Sequence, residues 1–189
     1  MMAILQNAFM NTSSSIMISK IQGNIIDILL PPLSNLELTI AITFGGVARG
    51  VIVGLASVLV FSFFVDMKIF YLFYILFFAF SGSLALSLLG VMGGIWSDEF
   101  DHMSGLTNFI ITPLTFLSGS FYSIDKLPDI LQKIAKWNPF FYFIDGFRKG
   151  FIGYSDTNVL IGIVVCLVLN IILFFSVYKM FQTGYKLRT

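Results

Sequence analysis

Residues 69–96 read IFYLFYILFFAFSGSLALSLLGVMGGIW, a run without a single Asp, Glu, Lys, Arg or His. A hydrocarbon core of roughly 30 Å needs about 20 apolar residues in a helix, and this run exceeds that length. Two further uncharged runs, residues 103–124 and 159–178, reach spanning length as well. A fourth, residues 38–65 (LTIAITFGGVARGVIVGLASVLVFSFFV), is interrupted only by Arg49. None of the four alternates polar and apolar residues with a period of two. Backbone groups in lipid are satisfied only in helices or closed barrels, so these runs predict transmembrane helices and an all-α polytopic bundle. Of the 189 residues, 57% are hydrophobic and 11% charged, a composition that requires lipid as solvent.

The remaining composition excludes several functions. Eleven basic against ten acidic residues give a net charge of +1 with no basic cluster, so nucleic acid is not an expected partner. Cys166 stands alone in an apolar run, which leaves neither a disulfide framework nor a thiolate metal site. Asp98, Glu99, Asp101 and His102 are close in sequence but lack a second histidine and match no helical zinc spacing, so they read as a solvated turn.

Residues 1–19 carry no charge, yet include Gln6, Asn7, Asn11, Thr12 and Ser13 to Ser15. That is a weak span by itself, and the absence of a basic residue before Lys20 argues against a secretory signal. Such side chains are tolerated where neighbouring helices supply partners, so this segment is expected to be a partial membrane helix. Between the spans the pattern turns amphipathic. Ile18, Ile21, Ile25, Ile28 and Leu29 share one helical face opposite Lys20, Asn24 and Asp27, which predicts a short interfacial helix over 20–30, ended by Pro31 and Pro32. After Ser123, Ile130, Leu131, Ile134 and Trp137 share a face opposite Lys133 and Lys136. A new face follows Pro139 with Phe140, Ile144, Phe147 and Phe151, which predicts two surface helices over 125–152. No linker or repeat divides the chain, so one domain is expected.

The order of these elements and several short motifs resemble the type-2 ABC transporter permeases, the membrane subunits of bacterial ABC exporters, in their drug and lipo-oligosaccharide branch. The motifs are Thr112-Pro113, Leu117-Ser118-Gly119, Leu127-Pro128, Trp137-Asn138-Pro139-Phe140 and Asp145-Gly146-Phe147-Arg148, with a tail over residues 183–188 (TGYKLR). Pro113, Gly119, Pro128, Asn138, Pro139, Asp145 and Arg148 are its family-signature positions. Lys20 to Asn24, together with Pro32-Leu33-Ser34 and Glu37, resembles the cytoplasmic coupling segment. Family members carry six membrane helices, including a complete first helix ahead of the position of Met1. The resemblance therefore implies a chain truncated at its N-terminus, with four full spans and a partial fifth.

The same resemblance implies a mechanism. No GxxxxGK[ST] occurs, so ATP and its magnesium are expected on a separate ABC ATPase subunit, and no cofactor on this chain. Lys20, Gln22, Gly23, Asn24 and Asp27 are the expected ATPase-coupling residues, with Glu99 as a second contact. A second permease copy and membrane lipid are the other expected partners. Arg49 is the one charge deep in an apolar run, where burial costs about 3 kcal/mol on insertion scales. It is expected to snorkel toward the cytoplasmic interface, with contact to an anionic substrate as the functional alternative. The aromatic row Phe70, Phe73, Phe77 and Phe80 reads as packing or lipid contact. Gly82, Gly90, Gly93 and Gly94 read as points of close helix approach.

Orientation brings a conflict. With the 20–30 segment in the cytoplasm, Lys20, Lys179, Lys186 and Arg188 lie inside, while Lys68, Lys126, Lys133, Lys136, Arg148 and Lys149 lie outside, against the positive-inside rule. The family pattern favours this orientation, with the inner membrane as the location. Two alternatives have less support: a non-transporting remnant of such a permease, and a membrane-embedded enzyme, for which the spans offer serines without a histidine or carboxylate.

Overall fold

The computed structural model describes residues 1–65, 68–119 and 128–187, and among these every regular element is helical. Ile124, Lys126, Leu127 and Arg188, used in the sequence reading, lie outside the described residues. Three helices are long and apolar enough to cross a membrane: α3 (Asn35–Ser62), α4 (Leu72–Trp96) and α9 (Val159–Thr183). They fall on three of the four expected spans. Each start has a local reason. Ser34 Oγ accepts from Glu37 N at 3.2 Å while Glu37 Oε2 accepts from Ser34 N at 2.8 Å, a capping box that opens α3. Asn158 caps Leu160 at the start of α9, and Gly184 in a left-handed conformation ends it.

The fourth expected span, 103–124, is not one continuous α-helix. It forms α5 (Phe100–Leu106), a π turn (Thr107–Ile111) and α6 (Thr112–Phe116), with Leu117 as the last capping residue. Pro113 lies in the first turn of α6, has no amide hydrogen and crowds the preceding turn; the wider π turn sits where that conflict would otherwise arise.

The expected helix over 20–30 is also split. Lys20 and Ile21 belong to α1 (Met2–Ile21), residues 22–24 form a turn with Gly23 at φ +75°, and α2 (Ile25–Leu29) is a single short turn of helix. Only glycine takes that backbone conformation without strain, so Gly23 ends the periodicity that the apolar pattern carries across it.

Residues 1–19 fare better than their polarity predicts. α1 is a continuous 20-residue helix at the centre of the bundle, parallel to α4 and antiparallel to α3. Its polar residues serve as ties. Thr12 Oγ1 donates to the Ser87 carbonyl of α4 at 3.0 Å, and Ser87 Oγ donates to the Thr43 carbonyl of α3 at 2.8 Å. These bonds give in apolar surroundings what packing of identical alkyl surfaces does not, a fixed register. Glycine permits the approach: a Cβ on Gly90 would lie 2.5 Å from the Phe9 carbonyl oxygen, and one on Gly94 would lie 2.8 Å from that of Ser13. The core consists of Leu5, Phe9 and Ile16 of α1 with Phe78, Leu86, Val91 and Ile95 of α4, closed by Cys166 and Val177 of α9.

The two helices expected along the membrane surface behave differently. α7 (Asp129–Trp137) is strongly amphipathic, and Trp137 is 89% exposed. α8 (Pro139–Ile152) does not lie flat. It runs antiparallel beside the first half of α4, pairing Phe143 with Gly82, Gly146 with Phe78, and Gly150 with Ile75 and the Tyr71 carbonyl. The Phe70 and Tyr71 amides both donate to the Gly150 carbonyl at 3.0 Å. Glycines four residues apart let its backbone approach a neighbouring helix, so an amphipathic pattern that reads as interfacial is satisfied inside the bundle.

Candidate functional site: a clasped helix end and a polar face

The C-termini of α1, α4 and α9 and the N-terminus of α3 gather at one end of the bundle, and a salt-bridged clasp joins three of them. Lys20 Nζ donates to the carbonyls of Ile95 at 2.8 Å and Ser97 at 2.9 Å, and to Asp98 Oδ1 at 3.0 Å. Lys186 Nζ reaches Asp98 Oδ2 at 2.7 Å and the Trp96 carbonyl at 3.0 Å. Both ammonium groups therefore cap the C-terminal carbonyls of α4, where the helix dipole favours cations. Hydrogen bonds from Lys186, then Lys20, hold the exposed Asp98 carboxyl down to about 2.

Lys20, expected on the ATPase-facing surface, is thus turned inward, with its side chain only 8% exposed. Gln22, Gly23, Asn24 and Asp27 are exposed just beyond it, and Glu99 is exposed next to Asp98. The clasp brings these to one end. Asp98 and Lys186 escape sequence reasoning because 88 residues separate them; the available signal was only a carboxylate immediately after a span and a lysine immediately after another.

The family-signature residues form a separate structural group. Asn138 donates from Nδ2 to the Leu114 carbonyl at 2.6 Å and accepts from Phe140 N at 3.0 Å, joining α6 to the start of α8, where Pro139 occupies the first turn. Asp145, 2% exposed, accepts from Arg148 at 2.6 Å, from the amides of Asp156 at 2.9 Å and Thr157 at 3.1 Å, and from Thr157 Oγ1 at 2.8 Å. Arg148 also pairs with Asp156. Burial opposes the guanidinium charge, yet the bonds to Asp156 and Asp145 outweigh it and raise the Arg148 pKa. Gly119 takes φ +73°, and Pro128 immediately precedes α7. These residues fix how α8 and the loop before α9 are held; Asp156 and Thr157, in a short polar segment, were not singled out from sequence.

A few polar side chains lie well inside the length of the helices. Arg49, the fifteenth of 28 residues in α3, does not run to the helix end: its Nη1 donates to Asn11 Oδ1 of α1 at 2.7 Å. One turn along α1, Ser14 lines a groove of about 290 Å³ against the α5–π segment, where Ser104, Thr107 and Asn108 mix with the apolar Met10, Met17, Phe100 and Met103. The aromatic row of α4 takes no part in it. Phe73 stacks on Phe77 and is 67% exposed, whereas Phe78, outside that row, is fully buried. Of the four glycines singled out on α4, Gly82, Gly90 and Gly94 face α1, and Gly93 faces Met103. Among the described residues no three His, Cys, Asp or Glu side chains are grouped to hold a metal ion.

Residues 1–152 match the family described as ABC-2 type transporter. The chain is 32% identical to the inner membrane transport permease YadH of Escherichia coli K12, over all of this chain and 74% of that protein. It is 33% identical to nodulation protein J of Rhizobium leguminosarum bv. viciae over 85 residues, which are 44% of this chain and 33% of that one. No solved structure matches it. A helical membrane bundle whose signature residues tie its C-terminal half together, and which over its whole length matches 74% of a transport permease, belongs to the ABC-2 type transporter family as its non-enzymatic membrane permease subunit.

Proposed function

We propose that this chain is the path-forming subunit of an inner-membrane ABC exporter, that two copies pair with two ABC ATPase subunits, and that the clasped end is cytoplasmic. Membership of the family implies the ATPase partner. ATP and magnesium are bound there. The observation that carries the coupling role is the position of Gln22, Gly23 and Asn24: an exposed turn fastened through Lys20 and Asp98 to α4 and, through Lys186, to the end of α9. Motion imposed on that turn by a closing ATPase pair would pass into three helices through short, charge-assisted bonds. Gln22, Gly23, Asn24 and Asp27 make the docking contact, Glu99 flanks it, and Lys20 acts as the anchor behind them.

In this reading α3, α4, the broken helix α5–α6 and α9 are four spans and α1 is a fifth. The transported material is a hydrophobic drug, a lipid or a lipid-linked saccharide, moving along the face that runs from Arg49 and Asn11 to the α5–π groove. The positive-inside conflict is eased at the opposite end, where Arg148 is neutralised by Asp145 and Asp156 and Lys149 lies over the Tyr74 ring.

Co-purification with the cognate ATPase tests the docking. Asp27→Lys is expected to reduce retention of the ATPase about tenfold, whereas Lys133→Glu, on α7, leaves it unchanged. Equal retention by the wild type and Asp27→Lys would remove the assignment.

A further inference from the structure

Arg49 is a guanidinium near the middle of a 28-residue apolar helix, and its hydrogen-bond partner, Asn11, is neutral. None of the ion pairs among the described residues includes it. Side chains of a helix lean toward the preceding turn, and there Gly45 leaves open space: a Cβ at that position would meet nothing within 4 Å. The arginine is exposed on the surface of the chain, beside Asn11 and next to the groove that Ser14 lines.

A charge at this depth needs a counter-charge, and none of the described residues is placed to offer one. Every described acidic residue lies in a loop or a first helical turn except Asp145, which is buried and committed to Arg148, Asp156 and Thr157. A second copy therefore brings no described carboxylate to the level of Arg49. The headgroups of resident lipids lie at the bilayer surfaces, so a resident lipid does not supply the anion either. The headgroup of an amphiphile carried across the bilayer passes this depth.

We propose that Arg49, oriented by Asn11, receives the anionic headgroup, phosphate or carboxylate, of a transported amphiphile partway through the bilayer. The guanidinium fork matches either group with two parallel hydrogen bonds. Asn11 holds one nitrogen and leaves the others for the ligand. The proposal rests on the permease reading and narrows it from hydrophobic cargo in general to cargo with a negative head.

The chain in phosphatidylcholine nanodiscs is titrated with radiolabelled dodecyl phosphate. Saturable binding is expected, weakened about tenfold or more in Arg49→Gln and less in Arg49→Lys, which keeps the charge and loses the fork. Unlabelled dodecyl phosphate should displace the probe, while dodecyl maltoside and inorganic phosphate at the same concentration should not. Equal binding by Arg49→Gln overturns the proposal. Displacement by the maltoside shows that charge is not read, displacement by inorganic phosphate shows a site for free anions, and either result overturns it too. Should Arg49→Gln lose its thermal unfolding transition, Asn11→Ala and Arg49→Lys decide in its place. Co-purification of Arg49→Gln with the ATPase should stay at the wild-type level, so a failure of the coupling reading is seen separately from a failure of the anion site.

Discussion

Asp98 accepts from two lysines that come from opposite ends of the sequence, and this single carboxylate closes the clasped end. Its carboxyl is held down to about 2, below its ordinary 3.8, because the folded chain supplies Lys186 and Lys20. A depressed carboxylate contributes stability that is complete above its unfolded value and disappears as pH falls through its folded value. The clasp should therefore persist at neutral pH and open as pH drops from about 4 toward 2. Lys186 lies 5.6 Å over the Trp96 ring, which gives a direct reading. In a Trp137→Phe background, Trp96 fluorescence should change across that window, and Asp98→Asn should abolish the change. At the other end of the bundle, Gly146 tests packing: Gly146→Val would drive a side chain into the Phe78 ring, which is fully buried. A loss of about 1–3 kcal/mol, or failure to fold, is expected in thermal unfolding in detergent. The same substitution at Gly45, which faces open space, should have little steric effect.

At the scale of elements, length and hydrophobicity located α3, α4 and α9 within a few residues, because spanning a hydrocarbon core demands a long uncharged run whatever its neighbours are. Which face of each helix is buried was not legible. In lipid both faces are apolar, so Phe73 and Phe78 look alike in sequence while one is 67% exposed and the other fully buried. Polarity misleads in the opposite direction for α1: Thr12 and Ser13 weaken it as a solitary span, yet both are buried where α1 packs on α4. The turn at Gly23 and the π turn ahead of Pro113 are written in the residues, but the apolar periodicity on either side hides them. The tie between α6 and α8 hangs on Asn138, which both caps α8 and holds the Leu114 carbonyl. Asn138→Ala should cost about 1–2 kcal/mol in unfolding, and Asn138→Ser, which keeps a capping oxygen but loses the donor to Leu114, should cost less.

For the whole molecule, the sequence carried the family but not the way Lys20 is used. A lysine beside an amphipathic stretch reads as a surface charge; only the closeness of three helix ends turns it into an internal cap. The bundle that results is polarised. One end carries the exposed turn, α2 and the clasp, and the other carries the buried Asp145–Arg148–Asp156 group and the packed end of α8. The central claim is that the first of these ends meets the ATPase. Photo-crosslinking in membrane vesicles tests it most directly, with benzoylphenylalanine placed at Ile26 in α2, 57% exposed, or at Ile152 at the end of α8, 63% exposed. A crosslink to the ATPase is expected from Ile26 and not from Ile152; a crosslink from Ile152 with none from Ile26 would place the ATPase at the wrong end.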